Sequence, residues 1–285
     1  MSTMEHLEHT FHTRHDFTPE LGWAAFQLLA EIGGDGVTVE GLEEAARTLA
    51  SPMARRSDLR KLLRSMDELG LLGRSADKLS LSAAGRALAA SAGRYEPGFF
   101  AGIHCLYAWG WQWGGRAEVA TPSWSYRQVC REIRTAGPLG IEPDAIVLKV
   151  AAAGERFGAE RVSFSRSSVN GVTAWLKAHS PPLVGQTAGR LHALPQPRPG
   201  PTSVRFHAAA LCALRGGQAD VGGENADLLA DALVLPTQEL RLVLEESLAG
   251  SDEFHLFGSG VKRISYRDSP DPFLEWIVHG RDQDN

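Results

Sequence analysis

The sequence predicts a mainly α fold with small β-hairpin wings, built as tandem winged helix-turn-helix units. Three observations predict it. A pattern of two helices, a third helix and two short strands around a polar turn occurs three times along the chain. Within the longer segments, apolar residues recur every three or four positions, the period of an amphipathic helix. Glycine and proline interrupt those segments at intervals that keep every element short.

The first copy is read between residues 18 and 92. Thr18-Pro19-Glu20 is a helix start, with a capping hydroxyl, proline at the first helical position and an acid in the first turn. Leu21, Ala25, Leu28 and Ile32 follow at helical spacing, and Gly33-Gly34 ends the run. Thr38 opens a second helix bearing Leu42, Ala45, Ala46 and Leu49. A third is expected over 54–69, with Leu59, Leu62, Leu63, Met66 and Leu69 as its inner stripe and Gly70 as its stop. Residues 71–72 and 79–81 then form the wing strands around the polar turn 74–78.

In the second copy, helices are expected over 126–135, 143–157 and 165–179, the last with Val169, Val172 and Leu176 facing inward. Pro181-Pro182 prevents its continuation. Strands at 183–184 and 191–194 make the second wing. A stiff, proline-rich stretch precedes the third copy, whose helices are expected over 204–214, 224–233 and 237–248 and whose strands fall at 254–257 and 261–266. The expected organisation is an N-terminal arm (1–17), unit one (18–93), an aromatic-rich helical connector (94–123), unit two (124–195), a proline-rich linker (196–201) and unit three (202–285).

A chain of 285 residues, 43% hydrophobic and 22% charged, is long enough to bury two or three cores. No apolar run approaches a membrane span, and the first thirty residues lack a basic segment followed by an apolar one. The expected location is the cytoplasm. Cys105, Cys130 and Cys212 have no paired spacing, which suits buried thiols in a reducing compartment.

The net charge of −5 hides an asymmetry. Residues 1–160 hold 17 basic and 20 acidic side chains; residues 161–219 hold seven basic and none acidic; residues 220–285 hold five basic and 14 acidic. Charge division of this kind speaks to partners rather than to fold. The middle of the chain suits a polyanion, and the tail does not.

A helix that enters the DNA major groove needs an outer face of donors. In the second copy Arg166, Asn170, Thr173 and Lys177 share one such face. Ser167 and Ser168 stand at the amino end, where free amides and the helix dipole favour a phosphate. Gly171 leaves room, and Arg190 lies near the wing tip. The first copy offers Arg56, Arg60, Lys61 and Arg64, with Lys78 in its wing, as a secondary phosphate contact diluted by Asp58, Asp67 and Glu68. The third copy carries Glu239, Glu245 and Glu246 on the equivalent helix, which phosphates would repel, so it is read as a protein-docking unit. The competing reading of each face is a solvated helix surface.

Other features are weaker. The aromatic run from Tyr95 to Tyr126 could stack single-stranded bases, but only Arg116 falls between Trp113 and Trp124, so a packing connector or a contact with a second copy is the favoured reading. His6, His9, His12 and His15 repeat every third residue without distant Cys or acids at zinc-site spacing, and are read as an arm. No metal and no cofactor is expected. Phosphate-loop, HExxH and GxSxG motifs are absent. Pro143-Asp144 with Lys149 is similar to part of a metal-dependent nuclease site, but Val147 and Leu148 stand where its second acid belongs. The acids from Asp268 to Glu275 fall on an expected loop with no neighbouring base.

His12-Thr13-Arg14-His15-Asp16-Phe17 with Gly22-Trp23, and Ile103-His104-Cys105-Leu106-Tyr107-Ala108-Trp109, resemble an uncharacterised bacterial family of tandem winged-helix proteins found in phage-defence and DNA-modification gene clusters, the second stretch departing in detail. The resemblance implies a DNA-linked defence role and transfers no functional residue. The expectation is a non-enzymatic, double-stranded DNA-binding protein, a recognition or regulatory subunit that docks a protein through its third unit. The alternatives are a scaffold making only protein contacts and a metal-dependent nuclease.

Overall fold

The computed structural model describes residues 17–32, 34, 36–48, 56–91, 95–113, 117–155, 163–194, 198–259 and 261–280, with side chains described from 59 and 122 in the helices that begin at 56 and 117. It is mainly helical with small antiparallel sheets. Thr18 Oγ1 accepts from Leu21 N–H at 3.4 Å, and α1 runs Pro19–Ile32. After β1 (Val37–Thr38), Thr38 Oγ1 accepts from Gly41 N–H at 3.1 Å to start α2 (Val39–Thr48). The expected leucine stripe of α3 (Arg56–Glu68) is buried. β2 (Leu72–Ser75) and β3 (Lys78–Leu81) form an antiparallel hairpin, and β1 pairs with the free side of β3. Ser82 caps α4 (Ala83–Ala90) by accepting from Gly85 N–H at 3.1 Å.

α5 (Glu96–Trp109) is buried from Gly98 onward. α6 (Ala117–Ala136), a 3-10 turn (Gly137–Leu139), α7 (Pro143–Glu155) and α8 (Arg166–Ala178) lead into the hairpin β4 (Val184–Thr187) and β5 (Arg190–Ala193). A single bridge joins Ile141 to Leu191 through two 2.8 Å bonds, where the other sheets have a first strand. The third set is α9 (Pro201–Leu214), β6 (Gln218–Asp220), α10 (Gly223–Leu233), α11 (Thr237–Leu248), β7 (Phe254–Phe257) and β8 (Arg263–Tyr266), followed by α12 (Pro272–Glu275) and a π turn (Trp276–Gly280). Its sheet order, β6-β8-β7, repeats the β1-β3-β2 order of the first.

Three helices and a hairpin thus recur three times among the described residues, with a short first strand in the first and third sets and the single Ile141 bridge in its place in the second. The sequence reading lacked β1 and β6, which are too short for an alternating pattern to register. It also began α6 nine residues late, because Pro122 sits inside that helix, and it missed α4 and α12.

The three repeats share one apolar interior. Phe99 of α5 meets Phe26 of α1 at 4.8 Å and Trp175 of α8 at 6.2 Å between ring centroids. Phe17, the last residue of the expected N-terminal arm, is buried against Trp175, whose indole N–H donates to the Phe17 carbonyl at 2.9 Å. His6, His9, His12 and His15 lie outside the described residues. Phe99, Phe100, Tyr107, Trp109 and Trp124 are all buried, so these rings are unavailable to nucleobases, while Trp111 and Trp113 are half-buried and Tyr95 is exposed. The buried rings are core.

Three buried histidines mark where the repeats meet. His104 of α5 lies 4.7 Å from His179, which closes α8, and 4.8 Å from His207 of α9, between ring centroids. Its Nε2–H donates to the Ala232 carbonyl (2.6 Å), leaving Nδ1 to accept from the Tyr126 hydroxyl (2.8 Å). Trp109 Nε1–H donates to His207 Nδ1 at 2.7 Å, so the proton of His207 sits on Nε2. That Nε2 and the Nε2 of His179 have no partner among the described residues.

Candidate nucleic-acid interface

α8 is sandwiched, and its surroundings decide which side chains can face a ligand. Val169, Val172, Trp175 and Leu176 enter the core on one side, while Ser168 and Thr173 are buried on its flanks. Thr173 was expected on the outer face and Ser168 at the exposed amino end, and burial withdraws both. The Thr173 hydroxyl donates to the Asn170 carbonyl one turn back, at 3.1 Å. What remains exposed is Arg166, Ser167, Asn170 and Lys177. Residues 166, 170 and 177 fall within about one turn-width of a single line along the helix. No acid lies on α8, and the Asn170 carboxamide bonds to nothing among the described residues.

The flanking contacts are mixed. Lys177 Nζ donates to Gln186 Oε1 of β4 at 2.9 Å, which joins the helix face to the hairpin. Arg166 lies 3.5 Å from Asp144 at the start of α7, with both side chains well over half exposed. Such a pair contributes at most about 1 kcal/mol and is readily exchanged for another anion. Arg190 is different. Its guanidinium donates to the carbonyls of Leu139 (3.0 Å) and Gly140 (2.8 Å) and to Glu142 (3.0 Å), which clamps it to the turn before α7. It is a fastening for the hairpin, not a free wing-tip cation.

In the first repeat Arg60, Lys61, Arg64 and Lys78 are exposed, with Arg64 bridged to Glu68 at 3.3 Å and Arg74 to Asp67 at 3.2 Å. The Arg56 side chain lies outside the described residues. In the third repeat Glu245 meets Arg241 and Lys262, and Glu246 meets Arg198. These pairs draw the Glu245 carboxyl below its ordinary value, through the Arg241 hydrogen bond first. Arg205 binds Glu253, and Arg215 reaches Glu224 at 3.9 Å. Three arginines of the acid-free stretch are therefore spent on acids of the tail.

Two solved structures share this fold. Both are described as SspB, one of them magnesium ion-bound. Each aligns at a TM-score of 0.57 and 14% identity, covering 97% of this chain and 89% of that one. No protein-family model matches the chain, and no curated protein does. The likeness spans all three repeats and is one of architecture.

The remaining expectations resolve by distance. Asp144 pairs with Arg166, whereas Lys149 pairs with Glu132 at 2.7 Å, so the acid and the lysine are turned to separate partners. The acids after β8 do not all lie on a loop. Asp271 caps α12 by accepting from Phe273 and Leu274 N–H, and Glu275 closes it. They also have a base beside them, since His279 follows one turn later. Among the described residues, no helix is long and apolar enough to cross a membrane.

Proposed function

We propose that the three repeats are winged helix-turn-helix units and that the protein binds double-stranded DNA through the second. The observation that carries this reading is the outer face of α8, where Arg166, Ser167, Asn170 and Lys177 are exposed, the helix itself bears no acid, and among the described residues Arg166 meets only the exposed Asp144 of α7. A groove-sized helix with a carboxamide between two cations suits phosphate contact at its ends and base contact at its centre. Arg60, Lys61, Arg64 and Lys78 of the first unit supply a secondary phosphate contact. The third unit, whose outer helix bears acids, docks a protein. The role is a non-enzymatic, cytoplasmic recognition or regulatory subunit of a bacterial defence or DNA-modification system. Arg166→Glu with Lys177→Glu abolishes the gel shift of a duplex, whereas Lys177→Ala alone keeps a measurable shift and lowers the log–log salt slope by about 1, one phosphate for one cation. Unchanged retention by the double variant defeats the assignment.

A scaffold making only protein contacts is favoured by one observation, the pairing of Arg198, Arg205 and Arg215 with acids of the third repeat. On that reading the charge division serves assembly within the chain. It requires no duplex affinity even at low salt, which the same titration measures.

A further inference from the structure

We propose that Asp268, Glu275 and His279 form a binding site for a divalent transition-metal ion, zinc before any other. One ligand atom from each lies within 4.8 Å of the other two, on the outer side of the third repeat. Glu275 and His279 are four residues apart across α12 and the π turn, which brings them to one side. Asp268 arrives from the segment after β8.

The donors are held ready. Glu275 Oε1 accepts from the Tyr266 hydroxyl and from Ser269 N–H, both at 2.7 Å, which fixes the carboxylate and leaves Oε2 unengaged among the described residues. The His279 ring rests 6.1 Å from that of Tyr266 and makes no hydrogen bond among them. Charge balance leaves room for a cation. In this repeat Asp220, Asp231, Glu245, Glu246 and Glu253 each meet an arginine or lysine, whereas Glu239, Asp252 and Asp271 do not among the described residues. Asp268 and Glu275 sit side by side, and neither meets one among the described residues. Two carboxylates at that separation repel unless a cation lies between them. An imidazole as the third donor selects the cation. Magnesium and calcium take oxygen ligands, whereas zinc readily combines imidazole nitrogen with carboxylate oxygen. Asp268 and His279 are exposed, so water completes the coordination.

So that the N-terminal histidines contribute nothing to the signal, the test starts from the tag-free full chain with His6, His9, His12 and His15 replaced by Ala. Calorimetric titration with zinc chloride gives one ion per chain, and Asp268→Asn or His279→Ala weakens it at least tenfold, while magnesium at the same concentration does not compete. Asp268 is exposed and without a partner among the described residues, so its variant melts with the zinc-free reference and decides the matter if the histidine variant is unstable. No zinc uptake by the four-alanine chain, or uptake that both substitutions leave unchanged, overturns the site.

Discussion

Asp231 is the residue on which two repeats depend. It is buried on α10, and burial pushes its carboxyl above the usual range even though Arg134 and Arg127 of α6 oppose the shift. Arg134 donates to Asp231 at 2.7 Å and to Thr237 Oγ1 at 2.9 Å, and it lies 3.5 Å from Asp227. Removing one partner of a buried pair leaves the other charged and dry, which costs far more than the intact pair contributes. Arg134→Ala therefore destabilises the protein by about 3–5 kcal/mol, read from urea denaturation, and Arg134→Ala with Asp231→Asn recovers part of the loss. Nothing in the sequence links positions 97 apart. Arg134 was one more charge near the end of a helix, and its importance comes from what α10 brings to it.

At the scale of elements, α8 was read to within one residue at each end, and yet Thr173 of its expected face and Ser168 of its amino end are both buried. A helix packed on one side hides three or four residues in seven. α8 also carries Trp175, buried among Phe17, Phe99, Phe100 and Tyr107, and contact on several sides widens the hidden arc until Ser168 and Thr173 fall within it. Gly22 is where α1 crosses this cluster, and a Cβ there would come within 2.9 Å of Phe17 and 3.1 Å of Trp175. Trp175→Ala removes the ring on which three helices converge and costs about 3–5 kcal/mol in thermal or chemical unfolding. If α8 carries the DNA face, the same variant weakens duplex binding without touching an exposed residue.

At the scale of the molecule, the three histidines make stability depend on pH. Burial lowers His104 to about 4, and it holds His179 and His207 well below the ordinary value, with His104 lowering both further. In the unfolded chain each titrates near 6.5. Between that value and the folded ones, unfolding takes up protons, so stability is full above about pH 6.5 and falls as the solution is acidified. The slope approaches about 1.4 kcal/mol per pH unit for each histidine, or about 4 for the three together. Urea midpoints measured from pH 7 to 5 should follow that slope, and His207→Phe should reduce it by one proton. A flat profile contradicts a neutral, dry cluster. The neighbouring Tyr126 hydroxyl is raised by burial and takes no part in this range.

Local order was legible in the sequence because it is set by neighbours in the chain: Thr18 and Thr38 as caps, the α3 leucine stripe, the glycine and proline stops, and the hairpins between them. The charge division was legible too, since counting needs no coordinates. What charges meet is a matter of tertiary structure. Arg190 is clamped to a turn 50 residues away, Arg205 is turned toward Glu253, and His279 is brought beside two acids that had no visible partner. Packing of the repeats onto one interior decided these, because the energy of a charge depends on its neighbours in space, and those are fixed only when the helices dock.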